Sequence, residues 1–205
     1  MKSVIIIGDG NYGKLVQLMV KRSDQLKLIA VLDDSFQGEK LKNGIKYGSI
    51  LLNLQHEAYY FVAIGDNKIR KKITAKLKKN FRKQISLIDP TAYVDPKANI
   101  KEGSIIMAKA IVQAYADIGE NVIINTGSII EHDVFVADFA HICPGSILTG
   151  GVTIFEGALM GAGSTVIPLK KVGAWCVVGA GSVVIKNIAS KKSVAGSPAK
   201  EIGVR

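Results

Sequence analysis

Aliphatic residues recur at every sixth position over nearly a hundred residues. The series runs Ile88, Val94, Ile100, Ile106, Val112 and onward to Val172, Val178 and Val184, seventeen positions that are all aliphatic or Met. Four residues after each one the side chain is nearly always small, as at Ala92, Ala98, Ser104, Ala110 and Ser128, with Lys170 and Ile188 as departures. A period of six matches neither the 3.6-residue helix nor strict strand alternation. It is the signature of a parallel β-helix, in which each hexad is a short strand plus a corner and three hexads close a coil of about 18 residues. Seventeen hexads predict nearly six coils stacked ~4.8 Å apart. The aliphatic residue fills the interior and the small one is expected at the tight corner. No hexad is interrupted, so no long loop should project.

Residues eighteen apart stack, which allows the walls to be written out. The positions just before each interior aliphatic point outward and form three columns. They read Ile105, Ile123, His141, Leu159, Val177; Ile111, Ile129, Ile147, Thr165, Val183; and Asp117, Phe135, Thr153, Lys171. Two are apolar and one is mostly polar. Contiguous exposed apolar surface marks an interface, and two greasy edges suit a homotrimer in which each chain gives one edge to each neighbour.

Upstream of Ile88 the pattern changes. Lys2 to Ile7 reads as a buried strand, followed by Gly8-Asp9-Gly10-Asn11-Tyr12-Gly13 and a helical pattern through Leu15, Leu18 and Met19. A second strand, Leu28 to Leu32, ends in Asp33-Asp34. This is the order of a Rossmann-type βαβ unit, whose glycines let backbone approach phosphates at a helix N-terminus and whose acid can bind ribose hydroxyls. A merely structural turn is the alternative. Residues 35–58 read as loop and short helix, with His56 a surface or packing histidine. Tyr59 to Ile64 is a third strand, and Gly65 follows it where α/β sheets place ligands. The expected architecture is α/β plus β: a small Rossmann-like domain over residues 1–85, then a parallel β-helix of hexapeptide repeats over 86–205 with a C-terminal cap. Some 85 residues leave room for half a dinucleotide fold.

Composition narrows the classes. The chain of 205 residues is 48% hydrophobic and 21% charged, as a soluble globular protein is. No apolar run nears the ~20 residues that span a bilayer, so membrane insertion is not expected. The start, Met1-Lys2, reads as a strand rather than a signal peptide. Cys143 and Cys176 are 33 apart and share no column, so a reduced, cytoplasmic setting is expected. Much of the net charge of +10 lies between Lys68 and Lys83, Arg70 included. It reads as one solvated helical face, or as a means of concentrating polyphosphate ligands. Nucleic acid is not expected, because no binding motif accompanies the charge.

Acid–base chemistry is concentrated at Asn125-Thr126, Glu131-His132-Asp133 and His141. A histidine beside a carboxylate is oriented and made more basic. His132 and His141 are half a coil apart and face opposite sides of their own prism, so they can share a site only across a subunit contact. Gly150 lies one coil above His132 and offers a backbone N–H to a thioester carbonyl. The narrow column Thr126, Pro144, Ala162, Ala180 suits a slim extended arm, or reflects coil packing alone. A structural His–Asp pair remains the alternative to catalysis. A γ-type carbonic anhydrase needs three metal histidines and the coils hold two, so no metal is expected. An NAD oxidoreductase would not explain the repeat, and a non-catalytic β-helical scaffold would not explain Glu131-His132-Asp133.

Taken together, Gly8–Gly13, Asp33-Asp34, Ala63-Ile64-Gly65-Asp66-Asn67, Asn125-Thr126, Glu131-His132-Asp133, Asp138 to Ile142 and the Ala195-Gly196-Ser197-Pro198-Ala199 tail resemble one family. It is that of the bacterial nucleotide-amino-sugar N-acetyltransferases, related to sialic acid O-acetyltransferase-like proteins of surface glycan (O-antigen) synthesis. The resemblance covers nearly the whole chain. It implies left-handed coils, an acetyl-CoA co-substrate bound between subunits, and a UDP-, dTDP- or GDP-linked 4-amino sugar on the small domain. It further implies that His132 is the general base and Asp133 its orienting carboxylate. His141 and Gly150 would contact the acetyl donor, with Ala162 and Ala180 along the CoA arm. Asp33 and Asp34 would meet the nucleotide, and Gly8, Gly10, Asn11, Tyr12, Gly13, Gly65 and Asn125 complete the substrate side. Tyr12 stands where many members carry histidine, and Asp89-Pro90 replaces a common His-Pro. A hydroxyl acceptor would use the same base.

Overall fold

The structure, a computed structural model, describes residues 1–50, 58–78 and 83–203; His56 and part of the basic run lie outside them. Contacts divide the chain into two compact units, Met1–Ile85 and Ser86–Arg205.

The first unit is a five-stranded sheet built around β1 (Lys2–Ile7). β1 pairs in parallel with β2 (Leu26–Leu32) on one side and β5 (Tyr59–Val62) on the other. Val4 to Ile7 are wholly buried, which explains why the strand is continuously apolar: a parallel strand covered on both faces needs no polar side. Helix α1 (Asn11–Lys21) turns Val16, Met19 and Val20 inward. Of the apolar residues that mark the helical pattern, Met19 is buried while Leu15 and Leu18 are 55% and 54% exposed. Gly13 sets the phase of the helix, because it is pressed against the Gly8 carbonyl where any Cβ would overlap.

Residues 40–48, expected as loop or short helix, form a hairpin. β3 (Lys40–Lys42) runs antiparallel to β4 (Ile45–Gly48), which continues the sheet beside β2. The turn is Asn43-Gly44, with φ of 51° and 73°, the two left-handed residues a type I′ hairpin demands. Helix α2 (Asn67–Leu77) follows β5, capped by Asp66, whose carboxylate accepts from the Ile69 N–H at 2.8 Å. Lys68, Lys71, Lys72 and Lys76 form an exposed basic face. Arg70 departs from it: only 1% exposed, it lies inside.

The second unit is a left-handed parallel β-helix. Seventeen two-residue strands between Leu87 and Val184, three to a coil, make nearly six uninterrupted coils. Pairing is in register at eighteen residues on all three walls, as in Ile123↔His141↔Leu159, Ile129↔Ile147↔Thr165 and Phe135↔Thr153↔Lys171. From Ile106 to Val184 each periodic aliphatic is at most 1% exposed, and burial of each contributes ~1.5–3 kcal/mol. Ile88, counted as interior, is 48% exposed because its coil is the first and has a neighbour on one side only.

Two details of the coil differ from expectation. The small residue does not make the corner; Ala110, Ser128, Ala140 and Ser146 point inward and are fully buried. The corner is the residue before it, which takes positive φ at every sixth position from Gly103 to Gly181. Secondly, Ile105 and Ile123 are covered within the single chain, so the outward apolar surface of their wall is confined to Leu159 and Val177. At the far end Ser193–Ala195 pairs with Val177-Val178, and Lys200–Glu201 folds back on it antiparallel, capping the last coil.

Candidate functional site

On the coils, His132 and Asp133 sit at a corner just past the strand Ile129–Ile130. His132 Nδ1 lies 2.8 Å from Asp133 Oδ2, with the side chains 64% and 62% exposed. An ion pair that open to water contributes ~0–1 kcal/mol at most, so its consequence is orientation rather than stability. Asp133 has φ of 58°, but Asn121 and Phe139 do too at their corners, so the conformation belongs to the coil and not to the chemistry.

The imidazole packs directly against Gly150. A Cβ there would stand 2.8 Å from both Cε1 and Nε2 of His132, and only glycine leaves the ring its place. The coils are locked in this register by Gly151 N–H donating to the His132 carbonyl at 3.1 Å and Leu169 N–H to that of Gly150 at 3.1 Å. The Gly150 N–H itself donates to nothing among the described residues. With Nδ1 engaged by Asp133, Nε2 is the nitrogen left to take a proton, beside a donor able to meet a developing negative charge.

His141 is on a different wall. Its Nε2 is 3.1 Å from Asn125 Nδ2, and Asn125 Oδ1 accepts from the Thr126 N–H at 2.8 Å. The second bond orients the amide so that its NH2 faces the His141 ring nitrogen. Thr126, Pro144, Ala162 and Ala180 are all exposed and stacked one coil apart. Beside them runs a feature the sequence reading passed over: the corner residues Gly127, Gly145, Gly163 and Gly181, with φ of 65–67° and nothing within 4 Å of a Cβ. The other two edges mix glycines (Gly103, Gly151, Gly157) with Asn121, Asp133, Tyr115, Phe139, Leu169 and Trp175, and on neither do four glycines follow one another. This one edge is bare, and a narrow chain could lie along it.

Neither thiol fits a covalent relay. Cys176 is buried inward and donates to the Ala189 carbonyl, and burial pushes the Cys143 thiol pKa up, away from the nucleophilic thiolate. No cluster of three metal-ligating side chains occurs among the described residues, and no helix among them is long and apolar enough to cross a membrane.

The first unit gathers its motif at the C-terminal ends of β1, β2 and β5. Gly8, with φ of 111°, donates its N–H to Leu32 O at 2.7 Å and packs under Ala63. Gly10 caps α1 without a side-chain bond, and around both Gly10 and Gly65 there is open space. Asp33 is already occupied: Oδ2 accepts from the Asp9 N–H at 2.8 Å and Oδ1 from Ser35 at 2.9 Å. Partial burial pushes its pKa upward, but these bonds outweigh burial and hold it below the usual carboxylate value. Asp34 stays exposed and accepts from Ile50 at 3.3 Å.

Arg70 belongs to this end of the sheet. Its Nη1 donates to the Ile64 and Gly65 carbonyls at 2.9 and 3.0 Å, and Nη2 to Asn67 Oδ1 at 2.8 Å. Burial pulls its pKa down to about 10, opposed by Tyr12 and Asp66. Burial likewise pushes the Tyr12 hydroxyl far above its ordinary value, with Arg70 acting in the other direction. Charge periodicity could not have singled Arg70 out, because it sits among lysines.

A coil wall bearing an oriented histidine over a free N–H, carried with a phosphate-type glycine loop, defines a hexapeptide-repeat acyltransferase. Residues 3–77 match the family described as the PglD N-terminal domain. UDP-N-acetylbacillosamine N-acetyltransferase of Bacillus subtilis (strain 168) is 41% identical over 113 residues, 53% of this chain and 52% of that protein; the match thus spans about half of that curated relative. The acetyltransferase domain of PglB from Neisseria gonorrhoeae, solved also with acetyl coenzyme A, superposes with a TM-score of 0.91 at 36% identity over 98% of this chain and 100% of that one. Perosamine N-acetyltransferase from Caulobacter crescentus, a histidine-to-asparagine variant in complex with CoA and GDP-perosamine, gives 0.91 at 33% identity over 100% and 98%. The chain belongs to the family of nucleotide-amino-sugar N-acetyltransferases.

Proposed function

We propose that this chain moves an acetyl group from acetyl-CoA to the 4-amino group of a nucleotide-linked amino-dideoxy sugar, with His132 as general base. The observation that carries the reading is the His132 ring, tethered through Nδ1 to Asp133 at 2.8 Å and seated on Gly150. Nε2 takes a proton from the attacking amine, the N–C bond forms, and the C–S bond breaks. The proton then passes to the departing CoA sulfur. The Gly150 N–H meets the charge that develops on the thioester oxygen. Complexes of the relatives with CoA, and with GDP-perosamine in one case, support both substrate classes. The bare glycine edge beside Ala162 and Ala180 accepts the CoA arm, and the Gly8–Gly13 loop with Asp34 and Gly65 accepts the nucleotide.

In a three-fold assembly His141 of one copy completes the acetyl site beside His132 of the next. The test is CoA release measured against UDP-, dTDP- and GDP-linked 4-amino sugars and their 4-hydroxy counterparts. Turnover with at least one amine and none with the hydroxyls is expected. Turnover with hydroxyls alone would make the chain an O-acetyltransferase, and none with any would leave the coils a scaffold.

A further inference from the structure

A cavity of 360 Å³ opens between α1 and the β3–β4 hairpin, lined by Asp9, Lys14, Gln17, Phe36, Lys42 and Tyr47 among others. Its volume is within the ~300–1,000 Å³ of small-molecule sites. None of these residues is used by the acetyl-transfer machinery, and Asp9 lies between two glycines of the loop.

Asp9 is held from two directions. Its N–H donates to Asp33 Oδ2 at 2.8 Å, and its Oδ1 accepts from the side-chain amide of the buried Gln17 at 2.7 Å. The second carboxylate oxygen makes no bond among the described residues. A carboxylate fixed in this way repels phosphate but accepts an N–H. Phe36 and Tyr47 meet edge to face across 5.8 Å and both line the cavity, supplying aromatic surface for a flat ligand. Lys14, Lys40 and Lys42 supply ammonium donors around it.

Resting on the nucleotide reading above, we propose that this cavity holds the nucleobase and that Asp9 selects bases carrying a ring N–H beside a carbonyl. Uracil, thymine and guanine do: the N–H donates to Asp9 and a lysine donates to the carbonyl. Held in the same pose, cytosine and adenine turn a ring-nitrogen lone pair toward the carboxylate, leaving two acceptors opposed without a proton.

Calorimetric titration of the full chain with UDP, dTDP, GDP, CDP and ADP tests this. At least one of the first three is expected to bind about tenfold or more tighter than CDP and ADP. Asp9→Asn, whose amide can turn an NH2 to a lone pair, should narrow that gap to about threefold or less. Gln17→Met, which releases the carboxylate from its tether, serves the same purpose if Asp9→Asn fails to fold. Equal binding of all five, or a gap unchanged in the variants, overturns the base assignment and leaves the nucleotide reading intact. Binding of none overturns both.

Discussion

In the coils Ile124 rests on Ile106 below and Ile142 above, each eighteen residues away. In the first unit Ile7 is paired with Leu32 on one side and Val62 on the other, at separations of 25 and 55 residues that nothing in the local pattern sets. The coil is quasi-one-dimensional, so each hexad meets only its neighbours and a lost contact stays local. The sheet is closed by distant segments that depend on one another. The chemistry follows the same division. The candidate base stands on a wall whose stability it does not share, whereas the glycine loop is itself a packing contact of its unit.

Three substitutions test that contrast, beginning with the largest effect. His132→Ala should lower turnover about 100- to 10,000-fold, with the melting curve of the coils unchanged because the ring is exposed. A marked fall in melting temperature would make the histidine structural. Gly13→Ala should act oppositely. It sets a methyl against the Gly8 carbonyl, destabilising the first unit by about 3 kcal/mol; calorimetry should then show an early transition separate from that of the coils. A single shared transition would show that the units do not fold independently.

The smallest effect is expected of Asp33→Asn. The folded pKa of Asp33 lies below its unfolded value, so the unfolded chain binds the extra proton, and the stabilisation is present above the unfolded value and lost as pH falls through the folded one. The variant should therefore be less stable than the parent by about 1–2 kcal/mol at pH 6, with the difference shrinking as the pH falls below the ordinary aspartate value of about 3.9. A deficit independent of pH would mean that the carboxylate charge is not what holds Asp9.

Much of the coil was legible because its period is a direct statement of geometry. Columns such as Ile123, His141, Leu159 follow from counting by eighteen, and so does the placing of Gly150 over His132. The hairpin at Lys40 to Gly48 could have been found from Asn43-Gly44, but three lysines in nine residues hid the strand alternation. The helical pattern through Leu15, Leu18 and Met19 does not disclose which of them is buried, because a backbone contact at Gly13 sets the phase of the helix.

The amino-acid sequence by itself determined what repeats or is locally encoded: the coils, their register, the glycine loop and the histidine with its carboxylate. Packing between distant segments decided the rest. It withdrew Arg70 from a basic run to bind the Ile64 and Gly65 carbonyls, committed Asp33 to holding Asp9, and aimed Asp9 and Gln17 into a cavity. Hydrophobic period reports which face is buried, but not which polar group meets which. That is settled only when segments remote in the chain are brought within hydrogen-bonding distance, and a buried charge must find its partners there.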